Sequence, residues 1–417
     1  MTVTASAAPK APRTPARTVS PRARLPLSLL TGLVLLSILR TITGAHDLDS
    51  VGSVSAALAL AVPIAMAGLG GLWSERAGVV NIGLEGMMIL GTWFAAYFAL
   101  NWGAWAGVLG AVIGGAIGGA VHAVATVIFT VDQIVSGVAI NIIALGVTKY
   151  LAAQVFSTMS GGGPTQSPGL PDLPSFTVPG AGWLQDVANK HLFLVSDAAG
   201  IVGGFLTNLS ALTIIAIVLV VGSVWVLWKT KFGLRLRSCG ESPWTAETLG
   251  VNVIRYKMVA VIISGALAGL GGGFLAMVAG NNYIEGQTGG RGYIGLAAMI
   301  FGNWMPIGMG AGALLFGYTD AIQLRSNDTV HALLLGIGVA LIVVGAWQLW
   351  RRRFWQAGIA LVLGVLFAIA YLKTDAVPTQ FTSMTPYVTT LLVMALASQR
   401  LRMPKADGAI YRKGEAG

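Results

Sequence analysis

A chain of 417 residues that is 55% apolar and only 10% charged dissolves mostly in lipid, since soluble domains carry roughly a quarter charged residues. No polar stretch is long enough to bury a core of its own, which excludes a fused ATPase or a large soluble enzyme domain. The net charge of +10 fits basic residues flanking spans on the cytoplasmic side; nucleic acid is not an expected partner, because no basic patch interleaves with aromatics on a soluble surface.

Residues 1–24 carry Lys10, Arg13, Arg17, Arg22 and Arg24, no acids and repeated prolines. That is the composition of a disordered basic arm. The apolar run Leu25–Leu39 resembles a signal-peptide core, yet no convincing small-x-small cleavage site follows, and Arg40 and His46-Asp47 come next. It reads as an uncleaved first span, keeping the arm in the cytoplasm and opening a transmembrane domain over 25–399. Further blocks of membrane-crossing length fall near 51–73, 84–100, 104–129, 134–152, 211–228 and 257–280. Between Ala153 and Ser210, a segment rich in Gly, Pro and Ser, with "SGGGPTQSPGLPDLP", reads as an external loop holding at most short helices.

The following segment 229–257 then falls inside. There Lys229, Lys231, Arg235, Arg237, Arg255 and Lys257 outnumber Glu241 and Glu247, as loops on the cytoplasmic side do. Residues 292–320, taken as one helix, would put Arg351-Arg352-Arg353 and the tail's Arg400, Arg402 and Lys405 outside. Broken at "GNWMPIG" (Gly302–Gly308), they make two shorter passes and return every basic cluster to the cytoplasm. Pro306 and its flanking glycines make that break physically reasonable. Spans near 331–350, 354–372 and 385–399 complete an all-α integral membrane protein of about 10–12 transmembrane helices, with a cytoplasmic tail over 400–417.

The sequence also echoes itself. "IGLEGMMILGTW" (Ile82–Trp93) resembles "IGLAAMIFGNW" (Ile294–Trp304), and Gly-rich spans follow both. In this topology the copies cross in opposite directions, the signature of an inverted repeat with discontinuous helices.

Three stretches carry candidate function. In "SERAGVVNIGLEGMMILG" (Ser74–Gly91), Glu75 and Arg76 stay hydrated at the cytoplasmic face, whereas Asn81 and Glu85 lie at or inside the membrane boundary. Polar groups that deep face a protein interior or a watery cavity. They read as part of an inner gate, or as helix-end anchors for loop backbone. In "DQIVSGVAINIIALGVT" (Asp132–Thr148), helical spacing puts Gln133, Ser136 and Asn141 on one narrow face. It either lines a path for a hydroxyl-rich solute or glues helices together. In the 229–257 segment, Ser242 is placed to cap a short helix that opens at Pro243 and ends at Gly250, a docking element on the cytoplasmic face.

"KFGLRLRSCGESPWTAETLGVNVIRYKMVAVIISGALAGLGGGFLA" resembles the coupling-helix region of permease subunits of ABC importers, in the branched-chain amino acid/ribose permease superfamily. The Ser74–Gly91 and Asp132–Thr148 motifs are similar to the subgroup for nucleosides and simple sugars. The likeness covers roughly residues 50–325 and 381–413. It implies a subunit that does not hydrolyse ATP, and no G-x-x-x-x-G-K-[ST] loop is present. A separate ABC ATP-binding subunit would dock around Gly240, Glu241, Pro243, Ala246, Glu247 and Gly250. A second related permease subunit would complete the path, and an external substrate-binding lipoprotein would deliver substrate, all at a bacterial plasma membrane with both termini inside. Residues 331–372 depart from the family as an added helical hairpin before the last span.

Other classes fit less well. An ion-coupled secondary transporter of a small neutral solute would hold ionisable residues midway across the membrane, and the spans are nearly free of Asp, Glu and Lys. A permease for branched-chain amino acids is the nearer alternative. An integral-membrane enzyme would need a convergent catalytic set. His46, His122, His191 and His331 are scattered without metal-ligand spacing, the sole cysteine Cys239 has no partner for a disulfide, and no cofactor is expected.

Overall fold

Apolar runs of this length settle as helices because, in lipid, a helix satisfies its backbone N–H and C=O groups within one segment. The computed structural model describes residues 21–325, 327–374, 377 and 401–414; residues 1–20 of the basic arm and the last span near 385–399 lie outside them. In chain order come α1 (Pro21–Thr43), α2 (Val51–Arg76), α3 (Leu84–Trp102), α4 (Ala104–Ala123) and α5 (Gln133–Val155). A π-helical turn over Val124–Ile128 extends α4. The segment after α5 holds β1 (Ser175–Phe176), α6 (Ala181–Ala188), α7 (Val195–Gly204) and β2 (Leu209–Ser210), with β1 and β2 paired antiparallel. There follow α8 (Ala211–Lys229), α9 (Lys231–Glu241), α10 (Pro243–Thr248) and α11 (Val253–Phe274), the last extended by a π-helical turn over Leu275–Ala279. α12 (Arg291–Phe301), α13 (Pro306–Arg325), α14 (Asn327–Trp350) and α15 (Phe354–Lys373) complete the described helices. Among the described residues, seven helices are long and apolar enough to cross a membrane.

Glycine brings the centre together. A Cβ on Gly115 of α4 would strike the Gly265 carbonyl of α11, and one on Gly91 of α3 would strike the Gly269 carbonyl. Three backbones therefore touch where side chains would hold them apart.

One end of the bundle carries the 77–83 turn, α9, α10, the 302–305 break and the tail. The other carries the segment after α5 and the 280–290 loop, tied by Leu170 N donating to Asn281 O at 2.9 Å and Ser167 N to Tyr283 O at 3.0 Å. α2 reaches the α10 end at Arg76, whose guanidinium donates to the Trp304 carbonyl at 2.7 Å. The chain then doubles back into the bundle. Asn81 donates to Ser264 Oγ at 2.9 Å, and Ser264 lies near the middle of the 27-residue span Val253–Ala279. α3 thus begins inside the protein rather than at its end.

α12 does the same from the other side. The 280–290 loop dips inward, and α12 opens against Glu85, the second residue of α3. α3 runs away from the α10 end, toward Met277 of α11's extension, and α12 runs toward it, ending at Phe301 just before Trp304. The two copies of the echoed motif are antiparallel, as an inverted repeat requires. Between α12 and α13 the chain breaks where expected. Asn303 and Trp304 have φ of 55° and 54°, and Pro306 opens α13, where its missing N–H costs nothing.

Three local features differ from or refine the sequence reading. The basic 229–257 segment contains α9 as well as the short helix; Leu236, Cys239 and Gly240 are buried on one face of α9 while Leu234 and Arg235 are exposed. α10 lies where expected, with Pro243 in its first turn and Gly250 past its end at φ +81°. Ser242 does not cap it: the hydroxyl lies 2.7 Å from Thr245 Oγ1, and that side-chain bond replaces the backbone one. Residues 331–372 do form a helical hairpin, α14 and α15, packed with Gly336 against Leu39 of α1.

Candidate functional site

A turn pushed into the bundle carries backbone groups away from water, and each one left unpaired costs several kcal/mol. The 77–83 turn answers with side chains. Ser74 Oγ donates to Val79 O at 2.6 Å, and the buried Lys257 donates to Gly78 O at 3.1 Å. Gln133 Oε1 accepts from Val80 N at 2.7 Å. His122 Nε2 lies 3.1 Å from Val80 O and Nδ1 lies 2.9 Å from Ser136 Oγ. A carbonyl only accepts, so the neutral ring carries its proton on Nε2 and takes the Ser136 hydroxyl on Nδ1. Asn81 Oδ1 accepts from Gly83 N at 3.0 Å. Asn141 receives Gly86 N at 2.7 Å and donates to Ile82 O at 3.1 Å. Asn81, Gln133, Ser136 and Asn141 therefore converge on one turn and the start of α3, Ser136 acting through His122.

Glu85 does a different job. Its Oε1 accepts from Gly290 N at 2.9 Å and its Oε2 from Gly292 N at 2.7 Å. A carboxylate placed there satisfies unpaired N–H groups and complements the positive end of α12. A Cβ on Gly292 would sit 2.6 Å from the Glu85 backbone nitrogen, so only glycine admits so close an approach. Nearer the α10 end, Glu75 Oε2 accepts from Trp304 Nε1 at 2.6 Å. Trp304 is thus held through its ring by Glu75 and through its carbonyl by Arg76.

The residues singled out around α10 divide by exposure. Gly240, Pro243 and Ala246 are buried, Glu247 is half-buried, and Glu241 and Gly250 are exposed. Leu249, beside Gly250, is 80% exposed. A Cβ on Gly240 would strike the Arg76 carbonyl, so the α9–α10 elbow rests directly on the end of α2.

At the opposite end a cavity of about 680 Å³ opens between α2, α8, α13 and the 172–175 segment. Ser55, Gln185, Thr207, Asn208 and Thr213 line it, and Asp172 is the one carboxylate among its lining residues. None of Asn81, Glu85, Gln133, Ser136 or Asn141 reaches it.

The sequence pattern of the family described as branched-chain amino acid transport system / permease component matches residues 53–344. The chain belongs to this permease family. It is 33% identical over 370 residues to the guanosine ABC transporter permease protein NupQ of Bacillus subtilis, covering 87% of this chain and 97% of that one. It is 33% identical over 365 residues to the nucleoside ABC transporter permease protein NupC of Lactococcus lactis, covering 86% and 96%. A putative glucose ABC transporter permease of Haloferax volcanii is also 33% identical, over 68% of this chain and 80% of its own. No solved structure matches. The permease is a multi-pass membrane protein.

Several residues of the brace escape a reading of the sequence. Lys257 counts there only as one more basic residue before a span, yet it is 2% exposed. Ser264 and Trp304 look like ordinary membrane residues, and His122 like a stray histidine. The available signal was a polar residue inside an apolar run, which does not say what it binds. The match to the family pattern ends within α14 at residue 344.

Proposed function

We propose that this permease is the membrane subunit of an ATP-driven ABC importer for nucleosides or related sugars in a bacterial plasma membrane. ATP is hydrolysed on a separate ATP-binding subunit, a second related permease completes the path, and an external lipoprotein delivers substrate. The observation that carries the substrate class is the 33% identity to a guanosine and a nucleoside permease over nearly their whole length. The cavity chemistry agrees. Apart from Asp172, the polar groups lining it are neutral hydroxyls and amides, which suit an uncharged hydroxylated solute, whereas an anion would meet that carboxylate in a site of low dielectric.

In this reading the α10 end faces the cytoplasm, with both termini inside. Lys229, Lys231, Arg235, Arg237 and Arg255 lie there, as positive-inside topology expects. The exposed Glu241, Leu249 and Gly250 form the docking surface for the ATPase. The braced 77–83 turn is the rigid wall of the inner gate, and the cavity at the other end is the outer vestibule.

Uptake of radiolabelled guanosine, adenosine and ribose into proteoliposomes holding the whole complex tests the reading. Glu241→Arg and Leu249→Asp change exposed side chains, so both insert normally and lose ATP-driven uptake. Full uptake in both variants removes α10 as the docking site. Uptake of a branched-chain amino acid in place of all three solutes replaces the substrate class.

A further inference from the structure

The tail is not a loose end. Over Leu401–Tyr411 it crosses the α10 end and touches each element that meets there. Arg402 N donates to Asn303 Oδ1 in the break between α12 and α13. Ala406 N donates to Gly240 O at 2.9 Å, at the α9–α10 elbow. A Cβ on Gly78 would stand 3.0 Å from Ala406 O and 3.1 Å from Gly240 Cα, so turn, tail and elbow are stacked backbone on backbone. Gly408 lies over Val80, and the buried Asp407 carboxyl sits near Glu75 and Lys257, which themselves hold the turn and the break.

Tyr411 closes the arrangement. Its ring centroid is 6.3 Å from that of Trp244 on α10, and it shares a buried cluster with Cys239, Ala246 and Val253. Burial, then a hydrogen bond to the Glu247 carboxylate, pushes its phenol up to about 12. Cys239 beneath it is 0% exposed, and burial pushes that thiol up to about 11.

We propose that Leu401–Tyr411 is a strap that fastens the α9–α10 elbow to the 77–83 turn and the 302–305 break, so that a push on α10 moves the inner gate as part of the same body. Tyr411 is then a positioning residue for coupling, acting through α10 rather than on substrate. A helix of six residues has little grip on the bundle by itself; the tail supplies the second attachment. The proposal rests on α10 being where the ATPase docks.

Cys239 makes the strap measurable without transport, since a thiol reacts only when it is reachable and can ionise. In membranes containing the whole complex, Cys239 of the native chain reacts only slowly with a maleimide. Tyr411→Ala labels about tenfold faster, still co-purifies the ATPase, and loses about tenfold in uptake while ATP hydrolysis continues. Tyr411→Phe keeps the ring and behaves as the native chain. In a Cys239→Ser background, a disulfide between Trp244→Cys and Tyr411→Cys leaves uptake within about twofold, because bodies that move together tolerate a tether.

Any one of four results overturns the strap: no gain in labelling for Tyr411→Ala, labelling without loss of uptake, loss of the ATPase itself, or uptake blocked by the disulfide. Retained uptake in Leu249→Asp, with the labelling result unchanged, instead strikes the docking site on α10.

Discussion

Two helices of this permease begin inside the bundle, and they are held in opposite ways. The start of α3 is reached through a turn whose backbone is bonded by residues from four helices: Ser74, His122, Gln133, Asn141 and Lys257. The start of α12 is reached through a loop whose first half is tied to the 165–170 segment and whose second half has positive φ at Gly286, Gly289 and Gly290. Among the described residues, two side chains hold 286–292 from or to another helix, Glu85 on the backbone and Arg291 paired with Asp320 at 2.9 Å. A chain fixed by many independent bonds has one geometry; a chain fixed through two side chains moves when they move. The comparison assigns rigidity to the 77–83 turn and greater mobility to the 286–290 half of the loop, and the expected outcomes below bear on that division.

The largest effect falls on the rigid side. Asn81→Leu leaves Gly83 N–H without its acceptor and Ser264 without its donor in a site that is 0% exposed. At about 1–3 kcal/mol for each orphaned group, little assembled complex survives, which thermal unfolding in detergent reads directly. Glu85→Gln comes next. It keeps the shape but removes the charge and points an amide at an N–H of α12, a loss of about 1–2 kcal/mol. The complex assembles and uptake slows. Equal melting losses for the two variants would erase the difference between the two starts.

A third effect sits on the rim of the brace, at Asp407. Burial pushes its carboxyl up to about 6 from 3.8, against the opposing effects of a hydrogen bond to Glu75 and the Lys257 ammonium. A raised carboxyl binds its proton better in the docked tail than in the free one. Docking is therefore tightest below the free value near 4, weakens as pH rises through 6, and is level above that. Maleimide labelling of Cys239, taken relative to the Asp407→Asn variant, rises between pH 5 and pH 7 as the tail loosens; a flat ratio removes Asp407 from the dock. The smallest effect belongs to Gln287 in the 280–290 loop, which accepts from Ile284 N at 3.2 Å. Gln287→Ala costs under about 0.5 kcal/mol, and a loss comparable to that of Asn81→Leu would show the loop to be as firmly held as the turn.

Much of this architecture was legible because lipid imposes it. A span must be an apolar run of fixed length, so α2, α3, α4, α5, α8 and α11 start and stop within a few residues of the sequence reading. The break at Gly302–Met305 was legible from Pro306 and from where the arginines had to end up. α9 was not, since Lys231, Arg235, Arg237 and Glu241 give it the composition of a loop, and only its burial of Leu236 and Cys239 makes it a helix. The brace was illegible for another reason. Val80 and Gln133 are 53 positions apart, Asn81 and Ser264 183, and Glu75 and Trp304 229. The polar residues of Ser74–Gly91 and Asp132–Thr148 could be picked out, but not which backbone atoms they were for. The tail read only as charge, because its contacts are made largely by backbone and by one tyrosine.

The glycine contact between α4 and α11 has a thermodynamic character of its own. Backbones that touch directly hide little hydrocarbon from water, so the contact is held by dispersion and Cα–H···O attraction. The heat-capacity change of an association follows the apolar area taken from water. The α4–α11 seam therefore carries almost none, and a contact held by favourable enthalpy does not weaken on cooling. The cluster under Tyr411, made of apolar side chains at the water's edge, weakens on cooling. In a cold membrane the strap loosens first, and the core of the permease is the last part to notice.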